Sequence, residues 1–154
     1  MRQTTNTILM IRPVNFRMNE QTAINNYYQK EVTKTLPEVI NTRAQQEFDE
    51  YVDKLKSYGI TVIVVSDTKE FDTPDSIFPN NWVSFHDNGT VALYPMFAEN
   101  RRLERREDIL DKLEESGFRI DHIVDYTSAE EEGIFLEGTG SIILDRVNRK
   151  AYCA

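Results

Sequence analysis

The sequence predicts an α/β fold assembled from a recurring strand–helix–strand unit, and three observations carry that expectation. Short β-branched runs alternate with amphipathic stretches. A glycine closes each of the two main amphipathic stretches, where a left-handed residue ends a helix. The same order of segments then returns at nearly constant spacing.

The first apolar run, Ile8-Leu9-Met10-Ile11, stops at Arg12-Pro13 and reads as a strand. Residues 15–36 are polar; Asn19-Glu20-Gln21-Thr22-Ala23 can open a short helix, and Leu36-Pro37 predicts a break. From Arg43 to Tyr58 the spacing is helical. Ala44, Phe48, Tyr51, Val52, Leu55 and Tyr58 recur at steps of three and four, with Glu50 and Lys54 as an exposed i,i+4 pair. Gly59 follows as the helix stop. The run Ile60-Thr61-Val62-Ile63-Val64-Val65 then suits a strand buried on both faces.

Loop chemistry fills 66–76 and leads into Ile77-Phe78-Pro79-Asn80-Asn81-Trp82. Trp82–His86 and Thr90–Tyr94 flank Asp87-Asn88-Gly89, a hairpin turn that exploits the tolerance of Asn and Gly for positive φ. A second helix is expected over 100–116, with Leu103, Ile109, Leu110 and Leu113 on one face and an Asp108–Lys112 pair on the other. Gly117 ends it. Residues 118–126 read as a more polar strand, 128–133 as an acidic loop, and 141–144 with 149–153 as a second hairpin turning at Asp145-Arg146.

Lys54-Leu55-Lys56-Ser57-Tyr58-Gly59-Ile60 parallels Lys112-Leu113-Glu114-Glu115-Ser116-Gly117-Phe118. Phe78 and Tyr94 find counterparts in Phe135 and Tyr152. Repeats of this length normally form a ring or a stack, because one unit cannot bury its own apolar face. The expected organisation is a single domain over 1–154 with repeat units at about 8–81 and 82–140 and an incomplete third at 141–154. The third unit has its hairpin without its helix and return strand. Its last strand is therefore expected to be an open edge, to be covered by a further C-terminal portion or by another copy.

Composition narrows the partners. The chain has 154 residues, 18 Lys+Arg and 26 Asp+Glu, for a net charge of −8, which argues against a nucleic-acid backbone as the main partner. No run approaches the roughly 20 apolar residues of a membrane span, and the first residues lack a signal-peptide core. One cysteine, Cys153, excludes an intramolecular disulfide framework and a cysteine-rich zinc site. A cytoplasmic setting is expected.

By the repeat, Asn80 corresponds to Glu137, and loops after equivalent strands of a ring converge near its axis. Glu137, between an apolar pair and two glycines, reads either as an exposed turn residue or as a carboxylate that binds a cation or relays a proton. Asn80-Asn81 beside Trp82 reads either as two turn formers or as amide donors and acceptors against an aromatic wall. The segment 100–106 carries four arginines; it is either a solvated basic face or the source of a clamp for a carboxylate. His86 and His122 lack neighbours at metal-ligand spacing. Cys153, in a strand, reads as an inert small hydrophobe, with an unorthodox nucleophile as the rival.

Taken together, Met10-Ile11-Arg12-Pro13, Asn25-Asn26, Phe78-Pro79-Asn80-Asn81-Trp82-Val83-Ser84-Phe85-His86, Leu93-Tyr94-Pro95-Met96, Glu99-Asn100-Arg101-Arg102 with Glu104-Arg105-Arg106, and Phe135-Leu136-Glu137-Gly138-Thr139-Gly140-Ser141 resemble the guanidino-group-modifying superfamily of amidinotransferases, arginine deiminases and dimethylarginine hydrolases. The citrulline-utilisation branch is the most similar. The resemblance implies a pentein-like five-bladed α/β propeller of ββαβ units, of which this chain would form about half, the amino-terminal part. It implies thiol chemistry without metal or cofactor. A cysteine attacks the guanidinium carbon, a histidine moves protons, acids hold the guanidinium, and the covalent intermediate passes to water or an amine.

Carried onto this sequence, the resemblance makes Glu137 the catalytic or guanidinium-holding acid. Asn81 stands where many members have an aspartate, with Asn80 beside it, and Arg101 and Glu104 match an Arg-x-x-Glu pattern whose arginine binds a substrate carboxylate. Gly140 stands where some members have a second acid. None of His86, His122 and Cys153 matches the catalytic histidine and cysteine, which lie in later blades. The expectation is therefore a catalytically incomplete part of a C–N hydrolase or amidinotransferase for a small guanidino or ureido substrate. The alternative is a non-catalytic half-propeller that binds or scaffolds through its edge strand.

Overall fold

A computed structural model describes residues 2–24, 26 and 35–153; Asn25, quoted above with Asn26, lies outside the described residues. The chain divides into two compact units. One comprises Asn6–Phe78 and Ala98–Glu104, the other Met1–Thr5, Pro79–Phe97 and Arg105–Ala154.

The first unit starts with strand β1 (Thr7–Arg12), helix α1 (Glu20–Ala23), helix α2 (Pro37–Ser57), strand β2 (Thr61–Ser66) and, from the later segment, helix α3 (Glu99–Arg102). Strands β1 and β2 pair in parallel, with Thr7 opposite Thr61 and Arg12 opposite Ser66, and α2 is the crossover between them. Pro37 opens α2 rather than breaking it. A proline at the first helical position loses only an N–H that has no intrahelical partner. Val52 is the buried residue of α2, whereas Tyr51 and Tyr58 stay exposed, so the apolar stripe is narrower than the periodicity predicts. Gly59 ends the turn at φ 79°. The middle of β2 is half-buried instead of buried on both faces, because among the described residues its sheet has two strands. Glu50 accepts from Gln46 at 3.0 Å.

The second unit holds strands β3 (Val83–Phe85) and β4 (Thr90–Leu93), helix α4 (Glu107–Glu115), strand β5 (His122–Asp125), the short helix α5 (Gly138–Ser141), and strands β6 (Ile142–Asp145) and β7 (Lys150–Cys153). Strands β3 and β4 form the expected antiparallel hairpin, and β5 joins β4 in parallel after α4. Strands β6 and β7 form a separate two-stranded antiparallel sheet. Ile109 and Leu113 are buried from α4, and Phe85 packs edge-on against Phe118 with ring centres 5.2 Å apart. Ala92, Tyr94 and Ile142 make a buried cluster flanked by Leu136 and Leu144.

Several expectations change here. The single helix over 100–116 is two helices, α3 and α4, because Arg106 adopts extended backbone at φ −102°, ψ 131°. Leu103 is consequently exposed. Asp108 is held by Arg106 at 2.6 Å and Lys112 by Glu115 at 3.1 Å, in place of an Asp108–Lys112 pair. Strand β5 is shorter than 118–126 and exposed at every residue. A 3₁₀ helix occupies 127–132, over most of the expected acidic loop, and a short helix covers 138–141, taking in Ser141, which was expected to start the second hairpin. The second hairpin turns through 146–149, with Arg149 at φ 56°. Among the described residues, no helix is long and apolar enough to cross a membrane.

Candidate active site

In the second unit, a 3₁₀ turn at Pro79–Asn81 meets α5. The first tie is polar. Asn80 Nδ2 donates to Thr139 Oγ1 at 2.8 Å, and Thr139 Oγ1 donates back to the Asn80 carbonyl at 3.3 Å. The second tie is steric. A Cβ at Gly138 would collide with the Asn80 carbonyl oxygen and press on the Asn81 carbonyl and Tyr94 Cδ2, each 3.1 Å away. Glycine at 138 is thus what lets the two backbones approach.

Gly140 shows where the candidate side chains meet. A Cβ built there would collide with Asn81 Nδ2 and would lie 3.8 Å from Glu137 Cβ. The Asn81 amide therefore occupies the space that a side chain at 140 would need, with the Glu137 Cβ beside it. Glu137 precedes α5 with extended backbone, φ −71° and ψ 122°. Its Oε1 accepts from the Phe97 N–H at 3.2 Å, and its carbonyl accepts from Ser141 N at 2.8 Å. Phe97 and Phe135 pack edge-on, 5.4 Å between centres, beside that contact. A carboxylate and the oxygen of a side-chain amide can each accept N–H bonds from a planar group of the guanidinium or ureido kind.

Arg101 and Glu104 belong to the first unit and meet each other there. The guanidinium is buried and bidentate: Nε donates to Glu104 Oε1 at 2.9 Å and Nη2 to Oε2 at 3.0 Å. Nη2 also donates to the carbonyls of Phe78 at 3.1 Å and Asp75 at 3.4 Å. Burial, with Asp75 and Asp67 nearby, raises the Glu104 carboxyl to about 7 against the pull of Arg101. Asp75 Oδ2 accepts from Asn19 Nδ2 at 2.8 Å and from Thr22 Oγ1 at 3.0 Å, and Asn19 and Asn100 exchange amide bonds at 2.9 and 3.2 Å.

Sequence reasoning missed Thr139, although it stands inside the quoted Glu137–Ser141 block. It also missed the buried Asn19–Asp75–Asn100 cluster, whose only sequence signal is polar residues in segments that carry no periodicity. Of the remaining chemistry-bearing residues, His122 and Cys153 are exposed on β5 and β7. His86 is bonded to Ser84 and Arg146.

Comparison with solved structures gives the fold. The N-terminal domain of ArgZ, an arginine dihydrolase from the ornithine–ammonia cycle in cyanobacteria, in a mutant form bound to substrate, matches with a TM-score of 0.61 at 20% identity over 96% of this chain. This chain spans 48% of that domain, and only 18% of the full apo ArgZ chain, which matches at TM-score 0.56 and 19% identity over 96% of this chain. The ternary complex of AgrE with ornithine and NAD+ matches with a TM-score of 0.62 at 19% identity, over 97% of this chain and 20% of that one. No curated protein matches by sequence. These likenesses establish a mixed α/β fold shared with the arginine dihydrolase domains. The family described as N,N dimethylarginine dimethylhydrolase, eukaryotic, matches residues 12–154, and the chain belongs to it, within the guanidino-group-modifying superfamily of hydrolases.

Proposed function

We propose that this chain supplies the amino-terminal part of a cysteine-dependent guanidine-modifying enzyme of the cytoplasm, a C–N hydrolase or amidinotransferase for an arginine-like or citrulline-related substrate. One observation carries the reading: the Asn81 amide sits directly against Gly140, with the Glu137 Cβ beside the same position. Glu137 is the acid that holds the reacting group, and Asn80 and Asn81 supply the neutral part of the same wall. With an amide at 81 in place of an aspartate, one carboxylate is left to meet a cation, which shifts preference toward less highly charged ureido or substituted guanidino groups.

Arg101 and Glu104 enter this reading as a buried pair. Arg101 is the candidate for a substrate carboxylate, and it would then share its guanidinium with Glu104. A half-ring of ββαβ units, with later blades bringing the cysteine and histidine, accounts for the absence of a thiol beside Glu137 among the described residues. The order β3–β4–α4–β5 and the following β6–β7 hairpin support that arrangement. In the completed enzyme the thiol would add to the guanidinium carbon, expel an amine or ammonia, and be released by water or an acceptor amine.

The test is an assay of the full-length gene product for ureido product or amine release from guanidino substrates. Turnover that Glu137→Gln abolishes is expected. Full activity in Glu137→Gln, or no turnover of any guanidino compound, removes the proposal. The alternative is a non-catalytic half that oligomerises through its edge. What favours it is that every residue of β7 is exposed, as are Ile143 and Tyr152 on the paired strands. Sedimentation of a monodisperse oligomer that binds a guanidino ligand without turnover would support it.

A further inference from the structure

The hairpin β3–β4 carries a polar chain that the reading above does not use. Tyr94 pairs with Trp82 just past the end of the ladder, its N–H donating to the Trp82 carbonyl at 2.9 Å. In that register Ser84, His86 and Tyr94 point to one face, because residues two apart on a strand share a side. On that face Ser84 Oγ lies 2.8 Å from Tyr94 Oη and 3.0 Å from His86 Nε2. His86 Nδ1 lies 3.2 Å from Nη1 of Arg146, in the turn after β6. Ser84 and Tyr94 are both buried. At its other end, the Tyr94 ring borders Gly138, whose added Cβ would stand 3.1 Å from Cδ2.

Donor chemistry gives the chain a direction. A guanidinium nitrogen only donates, so Nδ1 of His86 must accept and carry no proton. The imidazole is then neutral with its hydrogen on Nε2, which donates to Ser84 Oγ. The hydroxyl hydrogen of Ser84 is then available to Tyr94 Oη. A second proton on His86 would sit on Nδ1, directly against the Arg146 cation. The charged groups acting on His86 are Arg146, which opposes protonation, and Asp87, which favours it. Burial opposes it more than either and sets its pKa below the usual value.

We propose that Arg146, His86, Ser84 and Tyr94 form a one-way hydrogen-bond chain whose positioning residue, Tyr94, fixes the Glu137–Gly138 turn. Protonation of His86 breaks the chain at Arg146 and loosens that turn. The functional weight of the turn rests on the reading of Glu137 given above. The chain itself does not, and it is tested without any assay of turnover.

The experiment is nitrogen-15 magnetic resonance of the 154-residue chain across pH 4.5–8, with His122→Gln assigning the two imidazoles. The expected result at neutral pH is a His86 ring with its proton on Nε2 and an unprotonated Nδ1. On acidification, the Gly138 and Gly140 amide signals shift with the same midpoint as the His86 ring. Arg146→Gln moves that midpoint upward, and Tyr94→Phe uncouples the glycine signals while His86 still titrates. A buried hydroxyl lost in Ser84→Ala risks the fold, so Arg146→Gln, in a turn, keeps the test open. A proton on Nδ1 at neutral pH, glycine signals indifferent to His86, or an unchanged midpoint in Arg146→Gln overturns the proposal. If these outcomes hold while Glu137→Gln leaves enzyme activity intact, the chain stands and the reading of Glu137 alone fails.

Discussion

Replacing Gly138 by alanine tests whether the Asn80 turn and α5 are packed backbone to backbone. The added Cβ would collide with the Asn80 carbonyl oxygen and press on the Asn81 carbonyl and Tyr94 Cδ2. Two of these three neighbours are main chain and cannot swing aside. Overpacking of this kind costs about 1–3 kcal/mol, and a backbone obstacle belongs at the upper end. Against it, alanine is better than glycine in a helix by up to about 1 kcal/mol. The net loss is about 2 kcal/mol, or a melting temperature roughly 4–8 °C lower for a chain of this size.

Gly140→Ala is the matched control. The obstacle there is the end of the Asn81 side chain, which can rotate away. Stability should change by less than about 1 kcal/mol, while the Asn81 amide is displaced from its place against residue 140. Calorimetric melting of the two variants beside the parent measures the difference. A Gly138→Ala protein as stable as the parent, or a Gly140→Ala protein destabilised as much as Gly138→Ala, would refute the packing argument.

Glu104 holds its proton to about 7 in the folded chain and to the usual 4.5 when unfolded, so the folded state binds more protons between those values. Its contribution is fully present below pH 4.5 and is lost as pH rises through 7, by at most about 3 kcal/mol; urea titrations should show that decline, flattened in Glu104→Gln. Arg105→Ala strips the partner at 2.6 Å from Glu130, whose Oε1 also accepts from Met96 N at 2.8 Å, and should cost roughly 3 kcal/mol in the same titration. Trp82→Ala empties a fully buried site and should cost about 3–5 kcal/mol, enough to show as a lowered urea midpoint. Asn81→Asp adds a second carboxylate beside Glu137, and guanidinium titrations followed by the Gly140 amide signal should show tighter binding than in the parent; weaker binding would count against a cation-facing wall.

Elements with strong local signals were legible. Strand β1, the β3–β4 hairpin and the helix-ending glycines follow from side-chain period and φ preference, which act within a few residues. Helix α2 was legible in its body but not at its start, since Pro37 serves equally as a stop or as a first turn. The α3–α4 interruption was not legible. Periodicity runs smoothly through Leu103, and what breaks the helix is extended backbone at Arg106 together with a buried Arg101–Glu104 pair. Exposure of β5 was equally hidden, because Ile123 and Val124 look like core residues in a strand. At the site, Asn80, Asn81 and Glu137 were singled out by their neighbours. The repeat also suggests that their loops approach one axis; what it does not give is the close packing of the Asn80 turn on Gly138 and of Asn81 on Gly140, which depends on two glycines being small in three dimensions.

The arrangement of charge bears on what the site can hold. Arg101 is already neutralised by Glu104 and capped by two carbonyls, so any ligand carboxylate it receives must compete with a bidentate partner. That competition weakens as Glu104 takes up a proton near neutral pH, because a neutral carboxyl holds a guanidinium less strongly than a carboxylate does. Binding of an anionic group at Arg101 should therefore strengthen toward the acid side of 7. Titrating the chain with a simple carboxylate such as acetate from pH 5 to 8 tests this: affinity should fall as pH rises through 7, and that fall should vanish in Glu104→Gln, whereas a pH-independent affinity in the parent would refute the competition.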